Sequence, residues 1–176
     1  LPQNLPVALI IAGNLSEDRK GGAMIGKILA EMQNEKIQFL LVGNGAGATP
    51  ENVKSLGFVN DDKLLNIIYC AADFLLHPAP IDNLPNTVAE SLTAGTPVLA
   101  FAVGGIPEMV FPYKSGWLVK EYCHQTILSK IKEIIFSHGY KKLRDSSRKV
   151  ALERFDSDTV AYQYQTLIES TLKKYE

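Results

Sequence analysis

The chain has 176 residues, 46% hydrophobic and 21% charged, with a formal net charge of -1. That balance suits one globular domain with a substantial core and lacks the basic face or stripe of a nucleic-acid binder. No apolar run approaches the roughly 20 residues a membrane helix needs, and the early "LPVALIIAG" is too short and lacks the basic flank of a secretion signal.

Taken in chain order, Val7–Ala12 reads as a strand, followed by a helix from about Gly22 to Asn34. Ile37–Gly43 is a second strand, bounded by the glycine-rich "GNGAGATPEN", and a third short strand lies around Val53–Val59. Asp61 and Asp62 cap a helix ending near Ala72. Asp73–His77 is a fourth strand, Pro85–Ala94 a helix, Pro97–Ala102 a fifth strand and "SGWLVK" a sixth. After Tyr122 the pattern is helical to the end, with breaks near "SHGY" and "FDSD". Apolar strands alternating with helices imply a doubly wound, mostly parallel Rossmann-like sheet of about six strands, with helices on both faces and a helical C-terminus.

In such sheets ligands bind beyond the carboxyl ends of the strands. That rule selects the loops Gly13–Gly22, Gly43–Pro50, Val59–Asp62, Pro78–Asn86 and Phe101–Glu108.

Several apparent motifs there lack the context their chemistry needs. "GGAMIGKI" follows a P-loop through Lys27, but Ile28 stands where a magnesium-binding hydroxyl belongs, and Ala23–Ala30 reads as helix interior. "GNGAG" resembles a dinucleotide fingerprint, yet Thr49-Pro50 follows instead of a helix. The "DSD" at Asp156–Asp158 reads as a helix cap rather than a metal site. His77 reads as structural, His124 and His138 as solvated helix residues. Cys70, in "NIIYCAADFLL", reads as a small core residue and Cys123 as incidental; two such cysteines suggest a reducing, cytoplasmic compartment.

Three features keep a chemical reading. The first is Asp82 with Glu90 in "IDNLPNTVAESLTAGTPV". Helical spacing sets Asn86, Glu90 and Thr93 or Ala94 on one face, with Val88 and Leu92 toward the core. A carboxylate so placed can accept charge-assisted hydrogen bonds from adjacent hydroxyls, as on ribose; equally, it can complement the helix dipole. The second is "AVGGIPEMV", where Gly104 and Gly105 follow a strand and precede a short helix begun by Pro107. Such a turn admits a ligand close to the backbone, or is an ordinary strand-to-helix connection. The third is "SEDRKGG", whose Arg19 and Lys20 suit a pyrophosphate or form a solvated charge cluster. Together they suit a nucleoside diphosphate attached to something else, with no metal motif.

Residues His77–Val110, "HPAPIDNLPNTVAESLTAGTPVLAFAVGGIPEMV", closely resemble the signature of retaining glycosyltransferases of family 4, in the two-domain GT-B group. The two acids, "NLPN", "AGTPV" and "GGIPE" occur in order, and flanking segments extend the likeness over nearly all of the chain. The resemblance implies one donor-binding domain over residues 1–176, without the N-terminal acceptor domain of such an enzyme. It implies that Glu90 holds ribose hydroxyls, Asp82 faces the donor sugar and Lys20 neutralises the diphosphate of a UDP- or GDP-sugar. The amides of Gly104 and Gly105 would lie near the phosphates or sugar, and the backbone around Gly57, Phe58 and Val59 near the base. Asn14, Arg19, Gly43, Asn83, Leu84, Pro85, Asn86 and Thr87 complete the implied donor-binding set. No metal or cofactor is expected. The acceptor would be a glycan or lipid-linked group reached through the other domain, which would also make any membrane contact, and the isolated chain would be inactive. Many members have Glu where this chain has Asp82, and Arg where it has Asn14, for which Arg19 would compensate; the segment between the second and third strands is also short. The alternatives are a non-catalytic nucleotide-sugar-binding module, half of a sugar-nucleotide epimerase, and a purely structural interaction domain.

Overall fold

Successive side chains of a strand face opposite ways, and in this chain both sets are apolar. In a computed structural model, which describes residues 5–174, Ala8, Ile10 and Ala12 of β1 (Val7–Asn14) join one core cluster while Val7 and Leu9 join another. β2 (Gln38–Asn44) divides in the same way, with Phe39 and Leu41 on the first side and Leu40 and Val42 on the second. β3 (Val53–Ser55), β4 (Phe74–His77), β5 (Val98–Phe101) and β6 (Gly116–Val119) complete the sheet. Among the described residues it is six-stranded, in the order β3-β2-β1-β4-β5-β6, with each pairing parallel.

A sheet apolar on both faces must be covered on both. α1 (Gly22–Glu31) and α5 (His124–Ser137) cover the first cluster. α2 (Asp62–Ala71), α3 (Asn86–Thr93), α4 (Ile106–Met109) and α6 (Arg144–Phe155) cover the second. α6 is docked by Arg144, which donates to the carbonyls of Ala72 and Cys70 at 2.8 Å each and so satisfies the open end of α2. α7 (Ser157–Leu172) follows with no buried residue. This is the doubly wound architecture expected from the alternation. Asp61 caps α2 by accepting from Lys63 and Leu64 amides, and Asp156 caps α7 by accepting from Thr159 N–H, as the capping pattern requires.

Three details depart from expectation: the end of β3, Cys70 and His138. β3 stops at Ser55 because the chain turns away at Gly57, whose φ of 69° leaves the extended region. Cys70 is exposed, not in the core: α2 turns Ile68 and Tyr69 inward, and the next position lies about 100° further round the helix. His138 is not helical but ends α5 at a φ of 50°, and His124 pairs with Glu31 at 3.0 Å. Helix continues to Leu172, and the last two residues, like the first four, lie outside the described range. No helix forms between β2 and β3; there the Asn52 amide pins the connection by donating to Met32 and Ile37 carbonyls at 2.9 and 3.2 Å.

Phe74 is fully buried at the start of β4, next to the central strand. Replacing it with alanine removes its contacts and leaves a cavity, so Phe74→Ala is expected to cost about 3–5 kcal/mol in denaturant unfolding.

Candidate functional site

β1 and β4 are parallel neighbours, yet α1 leaves β1 toward one face and α3 leaves β4 toward the other. The chain thus has a switch point between β1 and β4, the place at the carboxyl edge where such sheets form their ligand crevice. From the β1 side comes a 3-10 turn, Asp18–Lys20, closed by Gly21 at a φ of 84°. Gly21 rests against the backbone of Pro78, where a Cβ would collide with the carbonyl, so this loop and the one after β4 touch directly. Across that contact Lys20 Nζ donates to Asp82 Oδ2 at 2.9 Å, the two side chains 26% and 11% exposed.

Behind the pair stands His77, the last residue of β4 and only 4% exposed. Its Nε2 lies 3.4 Å from the same Asp82 oxygen, outside hydrogen-bond geometry and with no other partner. Burial pushes the imidazole down to about 4, outweighing the opposite pull of Asp82 and reinforced by Lys20, so the ring is neutral at pH 7. Among the described residues, Asp82 therefore has Lys20 as its one charged partner. On its other side the acidic loop is held by the turn after β5. The Gly105 N–H donates to Asn83 O at 2.7 Å, and a Cβ on Gly104 or Gly105 would run into the Asp82 or Asn83 carbonyl. That amide is thus engaged within the protein.

α3 begins at Asn86 with Pro85 as its N-cap, one residue later than the pattern suggested, and no side chain caps it. Asn83, Leu84 and Asn86 are exposed and Thr87 partly so, around the start of α3. Val88 and Leu92 are fully buried, and Glu90 is exposed on the opposite strip. Its Oε2 accepts from the Tyr69 hydroxyl at 2.8 Å, beside a cleft of about 440 Å3 between α2 and α3.

The other candidate residues are arranged less directly. Arg19 pairs with Glu17 at 3.0 Å within its own exposed loop, so of the two neighbouring cations only Lys20 reaches the crevice acid. The Asn14 side chain accepts from Ser16 N–H and hydroxyl at 3.0 and 2.7 Å, closing the loop after β1. Gly43 N–H donates to Gly57 O at 2.8 Å, joining the ends of β2 and β3, and Phe58 beyond it is 59% exposed with Val59 half-buried. Lys27 and Ile28 of the P-loop-like run lie within α1, Ile28 fully buried. Among the described residues, no group of three or more His, Cys, Asp and Glu is placed to hold a metal. A cavity of about 900 Å3 lies elsewhere, beside Leu5, Pro6 and Phe136 near the amino end of β1. It holds a Lys132–Glu35 pair at 2.7 Å and none of the candidate donor-binding residues. Sequence reasoning read His77 as structural and did not single out Tyr69; the one available signal was a polar atom on an otherwise inward-facing position of a strand and of a helix.

The sheet order, with connections leaving β1 and β4 on opposite faces, defines a doubly wound, Rossmann-like domain. Residues 6–136 match the family described as Glycosyl transferases group 1, and the chain belongs to that family. An uncharacterized glycosyltransferase of Methanocaldococcus jannaschii is 27% identical over 107 residues, covering 60% of this chain and 27% of that protein. A glycogen synthase of Pseudothermotoga lettingae is 27% identical over 188 residues, covering 96% and 38%. Among solved structures, sucrose-phosphate synthase from Thermosynechococcus elongatus matches with a TM-score of 0.80 at 23% identity, over 99% of this chain and 47% of its own. Anabaena HepE, solved in complex with UDP-glucose, matches with a TM-score of 0.76 at 22% identity, over 95% and 49%. The chain thus spans well under half the length of these curated relatives and about half of the solved ones.

His77 gives the site a pH signature. Its folded-state value lies below the ordinary 6.5, so its contribution to stability is complete above that pH and is lost as pH falls toward about 4. Between pH 7 and 5 the loss is expected to be on the order of 2 kcal/mol. Unfolding of a His77→Gln variant over that range should show a flatter pH dependence than the wild type, and an identical slope would contradict a neutral buried ring.

Proposed function

We propose that this chain is the donor-binding domain of a retaining, metal-independent glycosyltransferase of family 4. It takes a sugar from a UDP- or GDP-sugar and, with a second domain, delivers it to an acceptor hydroxyl in polysaccharide or glycan synthesis. The observation that carries this reading is the Lys20–Asp82 pair, 2.9 Å apart across the switch-point crevice. A nucleotide sugar carries its negative diphosphate next to a polyhydroxyl ring, and a cation beside a carboxylate offers one partner to each. The fold shared with Anabaena HepE, solved with UDP-glucose, supports the same ligand class.

In the reaction the bond between the anomeric carbon and the diphosphate oxygen breaks, a bond from the acceptor oxygen forms on the same face, and the acceptor hydroxyl's proton leaves with the nucleoside diphosphate. Negative charge grows on the leaving nucleoside diphosphate, which Lys20 offsets in a partly buried setting where the attraction is weakly screened. Asp82 accepts hydrogen bonds from the sugar, and Glu90 accepts them from the ribose hydroxyls. Phe58 and the neighbouring backbone meet the base. The acceptor, a glycan or lipid-linked group, and any membrane contact belong to the partner domain; the reaction runs in the cytoplasm.

Calorimetric titration of the chain with UDP and with GDP, each with and without magnesium, tests this. Saturable, magnesium-independent binding of one is expected, and the absence of binding of either at millimolar ligand overturns the reading. Two charge-assisted hydrogen bonds at about 1.5–3 kcal/mol each make Glu90→Ala weaken that binding by about a hundredfold or more without unfolding the chain. Alone, the chain should transfer no sugar to any acceptor, and turnover in a radiolabelled donor assay would show that no second domain is needed.

A further inference from the structure

We infer that Tyr69 is a positioning residue that fixes the Glu90 carboxylate in the orientation able to take both ribose hydroxyls, and so sets a preference for ribonucleotides. The inference rests on the ribose reading of Glu90 and adds to it a residue on a different helix.

Glu90 is an exposed side chain with three rotatable bonds, and ordering it for a ligand costs up to about 2 kcal/mol of rotamer freedom. The Tyr69 hydroxyl removes part of that freedom by donating to Oε2 at 2.8 Å. Among the described residues the carboxylate has no other hydrogen bond or ion pair, so Oε1 and the remaining lone pairs of Oε2 stay open to a ligand.

Tyr69 is itself immobile. Its ring is 2% exposed in the core between α2, α3 and the sheet. Its carbonyl accepts from the fully buried Thr96 hydroxyl at 2.7 Å, and Ser91 of α3 donates to the Thr96 carbonyl at 2.8 Å. One buried polar network therefore ties α2, α3 and the turn into β5, and the tyrosine hydroxyl is its outlet into the cleft beside Glu90. Burial, then the charge of Glu90, raises the phenol far above its ordinary range, which keeps it a donor at any pH the fold tolerates.

A buried tyrosine needs a partner for its hydroxyl whatever the ligand, so the test must read the ribose rather than stability. Tyr69→Phe keeps the ring and removes one oxygen. The wild type, Tyr69→Phe, Glu90→Ala and the double variant are titrated with UDP, GDP and their 2',3'-dideoxy counterparts. Tyr69→Phe is expected to lose about five- to tenfold in affinity for the ribonucleotide and nothing for the dideoxynucleotide. It should add no loss on top of Glu90→Ala. Equal weakening for both sugars, or unchanged ribonucleotide affinity, overturns the inference while Glu90→Ala still reports on the ribose assignment. A wild type that binds neither nucleotide, or is indifferent to Glu90→Ala, overturns both.

Discussion

Two hydrogen-bonded parallel strands, β1 and β4, send their connections to opposite faces of the sheet, and the rest of the site depends on that divergence. Had both connections turned the same way, the second loop would lie over the first and close the edge. Instead the helices that follow leave on opposite faces, and the carboxyl ends of the two strands present the polar groups that follow them to a common edge. Lys20 comes from one loop and Asp82 from the other, so neither half of the winding could supply the pair alone. The apolar strands serve this indirectly: a sheet buried on both faces is stiff, and its loops inherit that stiffness.

The electrostatics of the crevice follow from how little charge it contains. His77 is kept neutral by burial, Arg19 is paired within its own loop, and one cation faces one carboxylate. A partly buried pair of this kind contributes little net stability, because desolvation offsets most of its attraction. It is correspondingly easy to re-partner. On the proposed reading a diphosphate, with more charge than Asp82, draws Lys20 toward itself and leaves the carboxylate to the sugar. The second carboxylate, Glu90, makes no ion pair among the described residues and is restrained by a neutral phenol, which orders it without occupying its charge.

The fold was readable because every strand but β3 is largely an apolar run and several helices carry their own punctuation. Asp61, Pro85 and Asp156 mark helix starts through local hydrogen bonding or backbone restriction, which a linear pattern records. The site was readable only in part. Lys20 and Asp82 are 62 residues apart, and no local spacing joins them; topology does. His77 ends an apolar strand and could be read as structural until its Nε2 was seen without a partner beside Asp82. Tyr69 was hidden by the same apolar run that made Cys70 look buried, since helical phase separates adjacent residues that a hydropathy reading merges.

At three points the loops around the crevice meet backbone to backbone, with Gly21 on Pro78, Gly104 on Asp82 and Gly105 on Asn83. Side chains at such contacts would act as adjustable spacers; bare backbone leaves no slack. A change in one loop is therefore transmitted to the other two as a rigid displacement. Loop grafting between members of this family should accordingly succeed only when the three segments travel together as one cassette, and single-loop chimaeras would inherit a misfitted seam rather than a new specificity.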